Sequence, residues 1–169
     1  DYKFLELGVS QKVNLGIFGT SEYNIQIGSF LDTTELLPMD YRYQRGGDPY
    51  FFIPPMFGYQ LIDSTFPVFQ GFFESHYNHE FKGFLMSKIP GLKQLNIRVS
   101  GGGGLLYVPE RNFQYSELHT GLSRLFRIGK VRFKLGAHYV VSQSNKQGFR
   151  SGFKFLITPW NPQNSSFAF

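Results

Sequence analysis

His76, His79 and Glu80 come closest, among the residues of this chain, to a catalytic or metal-binding set. Two histidines three apart beside a glutamate have the composition of zinc-hydrolase motifs, where imidazoles hold the metal and the carboxylate serves as base. That chemistry needs a helix, on which residues i and i+4 share a face. On a strand, positions 76 and 79 point to opposite faces, so no metal site is expected. Gly101, Gly102, Gly103 and Gly104 form a second candidate, but no Gly-Lys-Ser/Thr follows them. They therefore do not form a phosphate cradle. Glycines inside a long strand mark a bend or the close approach of another backbone. Gly-x-Ser-x-Gly is absent, which leaves no nucleophile elbow. The expectation is a protein that is not an enzyme and has no cofactor.

The other chemistry-bearing residues are charges spaced singly. Glu6, Glu74, Glu80 and Glu117 share one face of their strands with Lys12, Arg98, Arg132, Lys134, Arg150 and Lys154. A ring of one sign would suggest an ion filter. Both signs together suggest cross-strand pairing in a polar interior. The formal net charge is +5, yet the cations form no patch, and nucleic acid is not an expected partner.

The elements that carry these residues are unusually long strands. Val131, Phe133, Leu135, Ala137, Tyr139 and Val141 share one parity, and Arg132, Lys134, Gly136, His138 and Ser142 the other. Strands in soluble sheets usually run to five or six residues, whereas crossing a membrane takes about nine to eleven. The same alternation predicts strands at about 2–15, 22–31, 70–84, 94–108, 115–127, 130–142 and 148–157, within one segment covering residues 1–169. Aromatic residues make up 18% of the chain, with 20 Phe, 10 Tyr and 19 Gly, while hydrophobic residues reach only 41%. That balance suits a lipid-facing sheet with aromatic girdles. No apolar run is long enough for a membrane helix, and no cysteine is present to form a disulfide.

Short turns are expected near Gly16, at Ile89-Pro90-Gly91-Leu92 and at Ile128-Gly129. They interleave with longer loops near Asp32, Pro109 and Ser144, as periplasmic turns and extracellular loops interleave in outer-membrane barrels. The longest loop, 32–69, contains Arg45-Gly46-Gly47-Asp48 and Pro54-Pro55 and is rich in Tyr and Phe. Its aromatic content predicts a folded loop with a short hairpin around Tyr50 to Ile62. A start at Asp1 without an initiator Met is expected of a processed mature chain or of a fragment, and alternation already running by Leu5 favours a fragment.

Two stretches resemble a known family: FFESHYNHEFKGFLMSKIPGLKQLNIRVSGGG at Phe72–Gly103 and YSELHTGLSRLFRIGKVRFKLGAHYV at Tyr115–Val140. Within them, His79-Glu80-Phe81-Lys82-Gly83, Lys88-Ile89-Pro90 and the Glu117-to-Gly121 step resemble the carboxyl-terminal barrel of a Bacteroidetes-type outer-membrane family. Its members often carry a carboxypeptidase-regulatory-like domain ahead of the barrel. That family is similar to the barrel-insertion and two-partner-secretion transporters, whose barrels have sixteen strands. There a long loop bearing Arg-Gly-aromatic tucks into the lumen, and five strands follow it.

This chain shows two strands, a long loop with Arg45-Gly46, and five strands. Gly47 stands where the motif has an aromatic. The resemblance implies an all-β, antiparallel transmembrane barrel of about seven or eight long strands, the carboxyl-terminal half of a sixteen-stranded one. It implies that Arg45, Gly46 and Asp48 belong to a lumen plug, and that the thin wall at Gly101–Gly104 receives the loop. The last strand, with Phe149, Phe153, Phe155 and Ile157, would form one side of a seam offering its edge to a client strand. The implied location is the bacterial outer membrane with a periplasmic carboxyl terminus. The implied partners are outer-membrane lipid and other outer-membrane proteins or lipoproteins, and the implied role is insertion, translocation or an accessory one. A complete small structural or adhesion barrel, a passive pore and a soluble aromatic-rich β-sandwich are the alternatives.

Overall fold

The period-two alternation becomes a single large sheet in the computed structural model, which describes residues 3–32, 37–62, 66–81, 97–129 and 131–159. In chain order the strands are β1 (Lys3–Asn14), β2 (Thr20–Asp32), β3 (Arg42–Gln44), β4 (Phe66–Val68), β5 (Gly71–Phe81), β6 (Ile97–Val108), β7 (Phe113–Ile128), β8 (Val131–Ser144) and β9 (Gly148–Pro159). Seven of them form an antiparallel sheet in the order β1-β2-β5-β6-β7-β8-β9. Among the described residues there is no α-helix. The expected Pro-Gly turn at Ile89–Leu92, residues 94–96 of an expected strand and the tail from Trp160 lie outside the described residues.

Each sheet neighbour is the next long strand in sequence, so this is a meander interrupted once, by the long loop between β2 and β5. Gly129 (φ 61°) and Gly148 (φ 73°) lie where the chain reverses into β8 and β9. Glycine adopts those left-handed angles without the steric cost other residues meet. β1 and β9 are the two edges, and the sheet is not closed into a cylinder. Closure within these seven strands, as in a complete small barrel, is not what the chain does. Known single-chain barrels of the bacterial outer membrane have at least eight.

The second pairing differs from the expected hairpin around Tyr50 to Ile62. β3 pairs with β4 in a two-stranded sheet that frames the loop, with Tyr43 opposite Pro67. Pro54 and Pro55 have no N–H for a ladder, and they occupy the centre of the segment that fails to form a hairpin.

The polarity of the large sheet is inverted relative to a soluble protein. Adjacent residues make the contrast: Leu118 is 65% exposed and Glu117 3%, while Phe153 is 74% exposed and Lys154 2%. One face carries Leu7, Val9, Ile27, Leu105, Leu122 and Tyr139 uncovered. The other buries His76, Ser100, His119, Ser123, His138 and Ser142. The apolar part of this inner face is gathered where the longer loops emerge, with Phe72, Leu106, Val108, Phe113 and Tyr115 around the loop residues Tyr59 and Ile62.

β1 is exposed along nearly its whole length, whereas β7 and β8 are paired on both sides and lie under the loop. Local opening should follow this gradient. Hydrogen exchange of the protein in detergent or lipid should show the slowest amides in β7 and β8 and the fastest strand amides in β1. Equal protection of β1 would place a further partner on its edge.

Candidate functional site

The inner face is occupied by the loop between β3 and β4, and glycines make the room. A Cβ added to Gly104 would lie 2.8 Å from Cε1 of Tyr59, so the ring of Tyr59 fits because β6 has no side chain there. From that seat the Tyr59 hydroxyl donates to the carbonyl of Leu105 (2.6 Å). The ring tilts over His76 at 4.6 Å and meets Tyr115 edge-on at 5.3 Å. Burial, with Glu74 and Glu117 nearby, pushes the phenol pKa up and keeps the hydroxyl a donor. On the opposite, apolar face, Gly101 and Gly103 of the same strand border a hollow of about 1050 Å³ together with Tyr23, Ile25, Tyr77, Leu105 and Leu118.

Next to Tyr59, the N–H of Gln60 donates to Oε2 of Glu117 (2.8 Å), which also accepts from the Tyr115 hydroxyl (2.8 Å). The Gln60 side chain folds back on its own loop, accepting from the N–H of Ile53 (3.0 Å) and donating to its carbonyl (2.9 Å). Gln60 thus ties the loop to itself and to the wall. Apolar burial contributes more than these bonds do. Each of Phe52, Met56, Tyr59 and Ile62 is under 10% exposed, and such side chains stabilise by about 1.5–3 kcal/mol each. A typical hydrogen bond contributes about 0.5–1.5 kcal/mol net. The aromatic residues hold the loop down, and the polar contacts set its register.

Phe52 anchors the other flank. Its ring stacks on His138 at 3.8 Å and 11°, and meets His119 edge-on at 5.2 Å. Val140 and Leu156 complete the cluster. Both ring nitrogens of His138, Nδ1 of His119 and Oγ of Ser123 find no protein partner among the described residues. Gly121 faces His138 across the strands, and a Cβ there would lie 2.3 Å from Nδ1. His76, His119 and His138 therefore form a row beneath two loop aromatics.

A third contact is made at the sheet edge. Phe51 forms a parallel bridge with Phe155 of β9. The N–H of Phe52 donates to the carbonyl of Phe155, and the N–H of Phe155 donates to that of Tyr50, each at 2.8 Å. Asp48 shapes this segment: its Oδ1 accepts from the N–H groups of both Tyr50 and Phe51 at 2.8 Å. Its carbonyl accepts from Nζ of Lys154. The N–H of Phe51, then that of Tyr50, holds the Asp48 carboxyl below the usual carboxylate range, with Lys154 adding to the effect.

The residues singled out by sequence fall into separate groups. Glu80 pairs with Arg98 of β6 (2.7 Å) and with Lys134 of β8. Glu74 lies 3.8 Å from Arg42 of β3, which is equally close to Glu6. Glu117 and Asp48 belong to the loop seat. Arg132 is exposed and Arg150 half-buried, on β8 and β9. Phe149, Phe153, Phe155 and Ile157 are exposed on the apolar face of β9.

Arg45, which the resemblance placed in a lumen plug, is exposed among the described residues. Burying an unpaired guanidinium is costly. Gly46 and Gly47 beside it are half-buried. Gly47 lies against the main chain of the seated segment, where a Cβ would come 2.4 Å from the carbonyl oxygen of Gln60. The side chains that enter are Phe52, Met56, Tyr59 and Gln60, none of which the sequence reading singled out. Gly104 and Gly121 were the available signal, since each removes a side chain where a ring or a histidine then sits. His79 belongs to another neighbourhood, with Nδ1 2.7 Å from Ser21 Oγ and Nε2 3.1 Å from the carbonyl of Phe18. Among the described residues, no cluster of three His, Asp or Glu is arranged to hold a metal.

Replacing Glu117 with alanine leaves the Gln60 N–H and the Tyr115 hydroxyl without their buried acceptor. At about 1–3 kcal/mol for each orphaned group, the variant should lose about 2–6 kcal/mol in urea unfolding and gain protease cleavage within residues 45–62. Unchanged cleavage would mean that Glu117 does not hold the loop. Asp48 gives a pH signature. Its folded pKa is below its unfolded value, so its contribution is complete above about pH 4 and is lost as pH falls through the lower folded value. Exchange protection of the Tyr50 and Phe51 amides, corrected for intrinsic rate, should fall below about pH 4 in the native protein, and Asp48→Asn should lack that step.

The profile of a family described as "Family of unknown function (DUF5686) C-terminal domain" matches residues 1–122, which run from β1 to Leu122 in β7 and include the whole loop. No curated protein matches the chain, and no solved structure does. The match spans well over half of the chain, which therefore belongs to the family of DUF5686 C-terminal domains, whose function is unknown.

Proposed function

We propose that this chain is the carboxyl-terminal part of a larger outer-membrane β-barrel, near the barrel-insertion and translocation transporters in kind. Its role would be physical: the edge of β9 holds an extended strand of a client or partner protein during insertion or translocation. The observation that carries the membrane part is the inverted polarity of the sheet, with apolar side chains uncovered on one face and ionisable ones buried on the other. Strands of 11 to 16 residues suit a bilayer crossing. A soluble sandwich would need a second layer over Leu7, Ile27, Leu118, Leu122 and Phe153, and no described element covers them.

One feature counts against a passive pore: the inner face is filled by a loop, with Phe52, Tyr59 and Ile62 packed against the strands. The surrounding lipid would be the first partner, filling the hollow over Gly101–Gly104, and other outer-membrane proteins or lipoproteins the next. In this arrangement the turns at Gly16–Phe18 and Gly129 face the periplasm, as does the carboxyl terminus, and the loops near Asn145 and Asn112 face outward.

Cysteine labelling of the full-length protein in intact bacteria tests this reading. Asn145→Cys should react with a membrane-impermeant maleimide on whole cells, and Ile17→Cys only after the outer membrane is permeabilised. Leu118→Cys should stay unreactive until detergent is added, and the folded protein should change electrophoretic mobility on heating. Leu118→Cys labelling as fast as Asn145→Cys would place the apolar face in water and end the proposal.

A further inference from the structure

On the apolar face, beside the turn at Gly16–Phe18, two hydroxyls and an imidazole form a hydrogen-bonded chain. Ser21 of β2 stands opposite His79 of β5, and its Oγ lies 2.7 Å from Nδ1 of that ring. Nε2 of His79 lies 3.1 Å from the carbonyl oxygen of Phe18. A carbonyl only accepts, so Nε2 carries the ring proton and Nδ1 of the neutral imidazole is the acceptor. The Ser21 hydroxyl therefore donates to Nδ1. Its oxygen in turn accepts from the hydroxyl of Tyr77, 3.3 Å away. A hydroxyl donating to an imidazole that a third group orients is the arrangement of an activated nucleophile.

We propose that Ser21, His79 and Tyr77 form a catalytic centre that hydrolyses long-chain carboxylic esters, with the acyl chain lying in the hollow along β6. That the ester is a membrane glycerolipid rests on the outer-membrane reading above; the centre itself does not.

Three observations carry it. First, the pair is held firmly. β2 and β5 are each paired on both sides, and His79 is only 9% exposed, with Phe81 edge-on at 4.2 Å. The turn bearing Phe18 reaches β5 because position 19 is glycine: a Cβ there would lie 2.1 Å from the carbonyl oxygen of Glu80. Second, Ser21 is half-buried and Tyr77 exposed, so the nucleophile can be reached while its base is sheltered. Third, Gly101 and Gly103 stand opposite His79 and Tyr77 in the register. All four, with Ser21, line the same hollow of about 1050 Å³. An apolar furrow thus begins at the hydroxyls and suits an ester with a hydrocarbon tail. A peptide would leave its own N–H and C=O groups unpaired against those walls.

In the reaction, Ser21 Oγ attacks the ester carbonyl carbon as its proton passes to Nδ1 of His79. The Phe18 carbonyl accepts from the imidazolium so formed. The ester carbonyl oxygen becomes an oxyanion that accepts from the Tyr77 hydroxyl. The C–O bond to the alcohol then breaks, and the alkoxide takes the proton from Nδ1, leaving an acyl-serine. Water attacks that acyl group with Nδ1 as base, releasing the acid and restoring the Ser21 hydroxyl. One ester and one water give one acid and one alcohol. Ser21 is the second residue of β2, next to the turn placed above at the periplasmic boundary, where water is at hand.

The test uses the full-length protein in detergent micelles. A long-chain alkyl fluorophosphonate should modify Ser21, as located by mass spectrometry. Hydrolysis of p-nitrophenyl laurate should fall about a hundredfold in Ser21→Ala and in His79→Ala. Tyr77→Phe should lower kcat by a similar factor with KM held, and a native-like urea midpoint would show that each variant folds. An added Cβ at Gly101 has ordinary room, its nearest neighbour being the His119 carbonyl oxygen at 3.6 Å. Gly101→Leu should therefore fill the hollow and raise KM for the laurate several-fold more than KM for p-nitrophenyl acetate. Fatty acid should also be released from phosphatidylethanolamine in mixed micelles. Equal laurate hydrolysis by the native protein and Ser21→Ala, with Ser21 unmodified, would overturn the centre and leave the membrane reading standing. Native KM values in Gly101→Leu would overturn the hollow as the acyl site. Modified Ser21 together with a water-exposed Leu118→Cys would support the esterase and overturn a membrane lipid as its substrate.

Discussion

A side chain omitted from one strand makes room for a side chain from another segment, and the inner face of this protein is organised by that exchange. Tyr59 reaches the wall because Gly104 has no Cβ in its way. Once seated, the ring brings Gln60 to Glu117 and lays Ile62 against the cluster around Phe72 and Leu106. The second exchange, Gly121 for His138, sets the floor on which Phe52 stacks. Placing Phe52 there brings its own N–H and the carbonyl of Tyr50 to the edge of β9. The loop seat and the edge contact are therefore one mechanical unit.

Charge has a smaller and more local part. Glu80 with Arg98 and Lys134 joins β5, β6 and β8 on the part of the inner face away from the loop. The partly buried setting makes these pairs stronger than surface ones, but desolvation offsets much of the gain. Their arrangement suits register and specificity better than bulk stability. Glu117 differs, because it is met by a main-chain N–H and a phenol as direct hydrogen-bond donors. A carboxylate held that way positions a loop, which is the role its place in the structure suggests.

The strands were legible from sequence because their information is local. Leu118 and Glu117 are adjacent, and parity alone separates their faces. The mixed charges were placed on the correct face by the same rule. The loop was harder, since its partners are distant: Tyr59 bonds to a carbonyl 46 residues away. Glycine at 101–104 was readable as a thin wall, but nothing local distinguished the ring of Tyr59 from the guanidinium of Arg45 as its occupant. Physics favours the ring, which is mostly apolar and has one hydroxyl to satisfy, over a charge needing several partners. The edge contact of Phe51 falls within the hairpin expected at Tyr50 to Ile62, but nothing local marks Phe155, 104 residues away, as its partner.

The two faces set a joint requirement on the surroundings of this sheet. Fully burying about eight of the uncovered Leu, Ile, Val and Phe side chains, at about 1.5–3 kcal/mol each, is as large as or larger than the whole net stability of a typical domain, about 5–15 kcal/mol. A polar, histidine-lined inner face cannot supply that stabilisation, and the loop offsets only part of it, at the end where Tyr59 and Ile62 lie. The remainder has to come from whatever covers the outer face. In the membrane setting proposed above, hydrocarbon would do so for every strand at once and would ask for no hydrogen bonds in return. It does not cover the edges, because main-chain groups in lipid need partners at any open strand. At β9 the loop meets part of that need, since Tyr50 and Phe52 satisfy the N–H and C=O of Phe155.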